Sequence, residues 1–244
     1  MRNRSTLTTL FSSLVLLAFS GLCFGQVPTY AVASIGDADI RFPIVANLKR
    51  PTGKATILYR LAQMATPDDL RLVDLLVSDA AIGGAEVGVN RMDKYLIIQT
   101  IKAGESRLLS ASEFTATKKQ FEANMQESLE AAKILAKDAA DRVAKSHGNA
   151  TTGPVALSIN QIQEMRNYIS NERSSAFLSI VVSKVQVGNQ QIDRLTASST
   201  LITIVRGKLL WLQTLSTYNS PEDLNWVKDT SIAWLNSVQS LNPS

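Results

Sequence analysis

The sequence predicts an α+β fold: an antiparallel sheet, capped helices packed on it and one long amphipathic helix. Three observations predict it. Ser110-Ala111-Ser112-Glu113 is a capping box, and apolar residues then recur at steps of three and four. Thr200 to Val205 and Lys208 to Ser216 are apolar runs separated by Arg206-Gly207, the spacing of a β-hairpin. Ser220-Pro221-Glu222-Asp223 starts a further helix near the end of the chain.

The first element stands apart from the domain. Arg2 and Arg4 precede an apolar run from Leu10 to Leu22, relieved only by Ser12, Ser13, Ser20 and Gly21. The run is shorter than the ~20 apolar residues of a bilayer span. Residues 1–25 therefore read as a secretory signal peptide. Small residues at Cys23 and Gly25 favour cleavage between Gly25 and Gln26, with a cut after Ser20 as the second choice. Cys23 stands where a lipidated cysteine could stand, but Leu22 occupies the place of the small residue that lipoprotein signals carry.

Cleavage there removes the only cysteine and leaves 219 residues (244 less 25), enough for a core without disulfides. It removes two of 25 basic residues and none of the 21 acids, so the net charge falls from +4 to +2. That is too little to argue for nucleic acid. A cysteine-free exported chain points to a bacterium, where the Asn149-Ala150-Thr151 sequon is chance. Residues 26–244 are expected to form one domain, divisible into halves 26–109 and 149–244 joined by a long helix, 110–148.

Within the domain, Val27 to Ser34 and Ile40 to Leu48 have strand content, and Pro43 marks the second as an edge strand or a bulge. Ala55 to Gln63 reads as a strand. Thr66-Pro67-Asp68-Asp69 has the chemistry of a helix start, followed by Leu70, Val73, Leu76, Val77 and Ala80 and stopped at Gly83-Gly84. Ala85 to Asn90 and Tyr95 to Ile101 read as a hairpin around Met92-Asp93-Lys94. The long helix begins with Leu109 and Phe114 as a hydrophobic staple and carries its stripe through Phe121, Met125, Leu129, Leu135 and Val143 to Gly148. At ~1.5 Å per residue it would reach roughly 50 Å, so a kink or break is expected. Asn149 to Pro154 is a loop, Ser158 to Ile169 a short helix with Gln161 completing a second capping box after Ser158, and Ala176 to Val187 a strand ended by Gly188-Asn189. The strands around Arg206-Gly207 are apolar on both faces, as strands covered twice are. Leu224, Val227, Leu235, Val238 and Leu241 give the last helix its inward face.

Residues 52–74 and 206–228 match without a gap at 8 of 23 positions, among them Gly53-Lys54 with Gly207-Lys208 and Pro67, Asp69 and Leu70 with Pro221, Asp223 and Leu224. Two readings stay open. One is an internal duplication of a turn, a strand and a proline-capped helix. The other is convergence on common capping chemistry.

Chemistry is sparse. The chain has no Gly-x-Ser-x-Gly elbow, His-Glu-x-x-His motif, Walker loop or Ser-x-x-Lys dyad. One histidine, His147, and no mature cysteine leave no basis for a zinc site or Cys-His catalysis. His147 suits the negative end of the long helix. Asp68, Asp69, Glu222 and Asp223 read as helix caps, and Asp37 and Asp39 as turn residues. Lys49-Arg50-Lys54 and Lys118-Lys119 are basic clusters without interleaved aromatics, the second on the solvated side of its helix. Trp211, Trp226 and Trp234 are expected in the core. No catalytic, cofactor-binding or metal-binding residue is assigned, and no later segment is long and apolar enough to span a bilayer.

Val205-Arg206-Gly207-Lys208-Leu209-Leu210, a strand, then Asp223-Leu224-Asn225-Trp226-Val227 and a tryptophan-bearing helix together resemble the end of PsbP-like domains. They are also similar to uncharacterised exported bacterial proteins. The resemblance covers about the last fifth of the chain. It implies an α+β fold with a central antiparallel sheet and a non-catalytic accessory or binding role, and it carries no functional residue with it. The expectation is a periplasmic or secreted binding protein whose partner is another envelope or secreted protein. The alternatives are a carboxylate-based envelope enzyme and a periplasmic immunity-type inhibitor.

Overall fold

The structure, a computed structural model, describes residues 30–45, 47–89, 91–123, 155–187 and 190–243. In chain order the elements are β1 (Tyr30–Ile35), β2 (Ala38–Pro43), β3 (Leu48–Lys49), α1 (Thr56–Ala65), β4 (Leu70–Ser78), α2 (Asp79–Glu86), β5 (Lys94–Ile101), α3 (Ala111–Ala123), β6 (Val155–Ser170), β7 (Ser174–Val187), β8 (Gln190–Val205), β9 (Lys208–Thr217) and α4 (Pro221–Leu241). The fold is α+β, with every strand pair antiparallel. Seven strands form one sheet in the order β3-β4-β5-β9-β8-β7-β6, and β1 and β2 form a separate hairpin. Strand β9 lies between β5 and β8, so a single sheet draws on both parts of the chain.

Apolar side chains alternate through the sheet and need cover on each face. On one face β1–β2 and α4 enclose Ile35, Ile40, Phe42, Leu76, Leu96, Ile98, Leu212, Trp234 and Val238. Phe42 stacks on Trp234 with centroids 6.4 Å apart. On the other face α1 and α2 cover Leu72, Leu75 and Val77 of β4. A bulge between Leu72 and Asp74 turns Leu72 to the same side as Leu75. Helix α3 sets Phe114 against Ile202 and Ile204. Its Phe121 lies 5.1 Å from Phe177 and 5.4 Å from Trp211.

The Ser110–Glu113 capping box and the helix start at Ser220 are where the sequence places them, whereas Ser158 and Gln161, expected as a further box, lie in strand β6 and cap no helix. The Ser110 backbone N–H donates to Glu113 Oε2 (2.8 Å) and the Glu113 N–H to Ser110 Oγ (3.2 Å). Leu109 and Phe114 share one apolar cluster, as a staple requires. At α4, the Asn219 and Ser220 N–H groups donate to Asp223 Oδ2 at 2.9 and 3.3 Å. The turn Arg206-Gly207 has both residues left-handed, at φ 49 and 75°, which matches the twist of a two-residue hairpin.

Other expectations are corrected. Ala55 to Gln63 is mainly helix, because Leu58 and Ala62 supply a helical face and Arg60, Leu61 and Gln63 form helices well. Thr66 ends that helix, with its Oγ donating to the Ala62 carbonyl at 2.8 Å. Pro67 to Leu70 is a β-turn closed by Leu70 N–H to Pro67 O at 3.0 Å, and the next segment is β4. Proline followed by two acids serves a turn as well as a helix start, and a strand buried on both faces shows no period of its own. Gly83-Gly84 lies inside α2 instead of stopping a helix, and Ala85 belongs to α2 instead of a hairpin. Strand β5 pairs with β4 and β9.

Ser158 to Ile169 is part of β6, not a helix. Three register irregularities, at Ile159/Gln161, Ile162/Glu164 and Asn167/Ile169, each add a residue to the period of two. Apolar residues therefore recur at steps of three and four, which mimics a helix. Strand β9 is buried on one face and half-buried on the other, so it is not fully covered twice. The matching stretches 52–74 and 206–228 fold in opposite senses, helix-turn-strand and strand-turn-helix. The expected helix over 124–148 with His147, the expected loop 149–154 and the expected signal peptide, residues 1–25, fall outside the described residues.

Candidate functional site

A polar network lies where the β1–β2 turn, the segment 102–107 and the β8–β9 turn meet. Strand alternation puts Lys208 on the same face as Leu210 and Leu212, so its side chain enters the interior. Its Nζ donates to the carbonyls of Glu105 (2.7 Å) and Arg107 (3.2 Å) and pairs with Asp37 Oδ1 at 2.7 Å. Three acceptors match the three donors of an ammonium. The hydrogen bond from Lys208 holds the Asp37 carboxyl below its usual range. Arg71 joins the network through Glu105 Oε1 (2.6 Å) and the Ser34 carbonyl (2.9 Å). Gly36 has φ +58°, and a Cβ there would lie 1.8 Å from the Glu105 carbonyl oxygen.

The outer edge of β2 is closed by side chains. Ile35 faces Ala38 across the turn, so Asp39 and Arg41 turn their backbone polar groups away from β1. The Asp39 carbonyl accepts from Arg206 Nη1 at 2.8 Å. Arg41 N–H donates to Asn242 Oδ1 at 2.9 Å, and Asn242 Nδ2 returns a bond to the Arg41 carbonyl at 2.8 Å. Pro43, last in the strand, has no N–H to satisfy. These bonds draw Arg206 and the end of α4 against the hairpin.

The result is an open cleft of about 430 Å³ lined by Val32, Asp39, Arg41, Arg206, Leu241, Asn242 and Pro243. The Arg41 guanidinium lies 5.5 Å from the Tyr30 ring centroid. Among the described residues neither Arg41 nor Arg206 forms an ion pair, whereas Arg50, Arg71 and Arg107 pair with Asp74, Glu105 and Glu113. Val32 beside them is 56% exposed. Two guanidiniums next to apolar surface can hold an anionic group carried on an apolar chain. A smaller depression of about 280 Å³ lies against α2, bounded by Ala80, Gly84, Val89, Arg91 and Asp93. Its one acid, Asp93, accepts from Ser78 Oγ at 2.6 Å.

The residues singled out in the sequence serve the scaffold. Asp37 neutralises Lys208, and Asp39 accepts from Ser34 Oγ at 2.7 Å. Asp68 and Asp69 sit in a turn and cap no helix, while Glu222 and Asp223 lie in the first turn of α4. Lys49 pairs with Asp79 at 2.8 Å and Arg50 with Asp74. Lys118 does not simply face solvent: its Nζ donates to the Asn171 carbonyl (2.8 Å) and Ser170 Oγ (3.2 Å), tying α3 to the β6–β7 turn. Trp234 is fully buried in the core, and Trp226 and Trp211 pack half-buried at its margins.

Sequence reasoning missed Arg41 as a site residue and placed Arg206 only in a turn. The available signal was polar residues at 39 and 41 alternating with Ala38, Ile40 and Phe42. Among the described residues no three of His, Cys, Asp and Glu stand together as a metal site, and no helix is long and apolar enough to cross a membrane. No protein-family model and no curated protein matches the chain.

Proposed function

We propose that this chain is an exported, periplasmic or secreted, non-catalytic accessory protein that works by binding another envelope or secreted protein. The observation that carries the reading is the cleft of the β1–β2 hairpin, where Arg41 and Arg206 stand without carboxylate partners among the described residues. The acids nearby are occupied in holding the fold: Asp37 by Lys208, Asp39 by Ser34 and Glu105 by Arg71. An acid–base pair needs two carboxyl groups free to face a substrate. The signal-like segment 1–25 and the PsbP-like ending support the same reading.

The test has two arms. Fractionation of cells making the full chain should place a shortened, mature form outside the cytoplasm. Cross-linking from residue 32, with a photoreactive side chain in place of Val32, should join the mature protein to one partner in its native envelope. A hydrolytic or transfer activity abolished by one carboxylate substitution would replace this proposal with the envelope-enzyme reading.

A further inference from the structure

We propose that the Arg41–Arg206 cleft recognises an acidic peptide segment of the partner, with both guanidiniums on a side-chain carboxylate and an apolar neighbour of that acid on Val32. This deepens the binding reading above and rests on it.

Charge complementarity selects the ligand. The cleft has two cations without ion pairs among the described residues, and its one acid, Asp39, accepts a hydrogen bond from Ser34. Both arginines are held in place before any ligand arrives. Arg206 sits in a two-residue turn and spends one Nη on the Asp39 carbonyl, which leaves other N–H donors of its fork available. Arg41 lies over Tyr30, and its backbone is pinned on both sides by Asn242. Arginines restrained in this way lose less side-chain freedom on binding.

Shape selects the class. The cleft is open and its lining sets Val32, Leu241 and Pro243 among Arg41 and Arg206, which suits an extended chain that alternates acid and apolar side chains. A lipid surface fits less well, because Asp39 lines the same cleft and a mature charge of +2 (23 basic less 21 acidic) gives little attraction to anionic headgroups.

The experiment selects random heptapeptides displayed on phage against the mature protein, and in parallel against an Arg41→Ala/Arg206→Asn double variant. Asparagine keeps the left-handed turn available. Both chains are first shown to unfold at the same temperature. The proposal expects selected peptides enriched in Asp or Glu flanked by apolar residues. It also expects the affinity of a synthetic winner to fall tenfold or more for each single variant, for its acid-to-amide analogue and at raised salt. Winners without acids that bind both chains equally would overturn the acidic cleft while leaving a binding function standing. No winner on either chain would count against both. Binding of the mature protein to phosphatidylglycerol vesicles but to no peptide would overturn it in favour of a membrane. Arginine-dependent self-association without peptide binding would overturn it in favour of a second copy.

Discussion

The Lys208 side chain is fully buried, while the carboxylate 2.7 Å away that neutralises it, Asp37, is 71% exposed. A pair arranged in this way keeps the hydration of its anion. Only the cation leaves water, and the Glu105 and Arg107 carbonyls replace its shell.

Lys208→Met would remove the donor from both carbonyls. Loss of about 1–3 kcal/mol is expected for buried acceptors left without a partner, measured as a lower urea midpoint. The substitution would also alter the acid response. Asp37 has a folded pKa below the ordinary 3.8, so its contribution is complete above that value and is lost as pH falls through the lower folded value. The wild type should lose that increment in strong acid, and Lys208→Met should lose a smaller one, because the backbone hydrogen bond to Asp37 remains.

Gly36→Ala and Gly53→Ala form a matched pair. Both glycines are left-handed, at φ +58 and +57°, but a Cβ meets the Glu105 carbonyl at 1.8 Å only at Gly36. Gly53→Ala should destabilise by about 1–2 kcal/mol, the strain of the conformation alone. Gly36→Ala should destabilise clearly more or fail to fold, as thermal unfolding of the two would show. Equal effects would mean that the hairpin tip moves aside freely.

Asn242→Ala removes the bonds that attach α4 to β2. The Arg41 amide, which donates to Asn242 Oδ1 at 2.9 Å, should exchange with deuterium much faster, while amides in β8 and β9 keep their protection. Global stability should fall by about 1–3 kcal/mol.

Asp223→Asn tests the cap of α4. Burial acts to raise the Asp223 pKa, but the Asn219 N–H and the Lys94 charge outweigh it and set the net value below 3.8. The variant should be less stable than wild type at pH 7. The difference should close as pH falls below 3.8 and the wild-type carboxyl becomes neutral. A gap that persists at pH 2 would show that packing, not charge, makes Asp223 important.

The parts legible in the sequence are those whose signal is local. Ser110 with Glu113 and Ser220 with Asp223 are three residues apart, and both caps form where their spacing places them. Arg206-Gly207 needs only its two neighbours to make a turn. Pro67-Asp68-Asp69 was equally local but ambiguous, since the same residues suit a turn and a helix start. Strand β6 reads as a helix in the sequence because its bulges answer to pairing with β7, which no window of β6 displays. The cleft was hidden for a related reason. Arg41 and Asn242 are 201 residues apart, and nothing in either segment announces the other.

The position of β9 has a consequence for the order of events as the chain is made. Strands β3, β4 and β5 come from the first part of the described chain and β6, β7 and β8 from the later part, and among the described residues β9 alone joins them. A chain emerging from its N-terminus holds two unfinished strips until residue 217 has followed, and the helix that covers their junction, α4, is made after that strand. Closure depends on pairing between residues as distant as Lys94 and Ser216, which makes it slow. The two strips can therefore become one sheet only once β9 has been made.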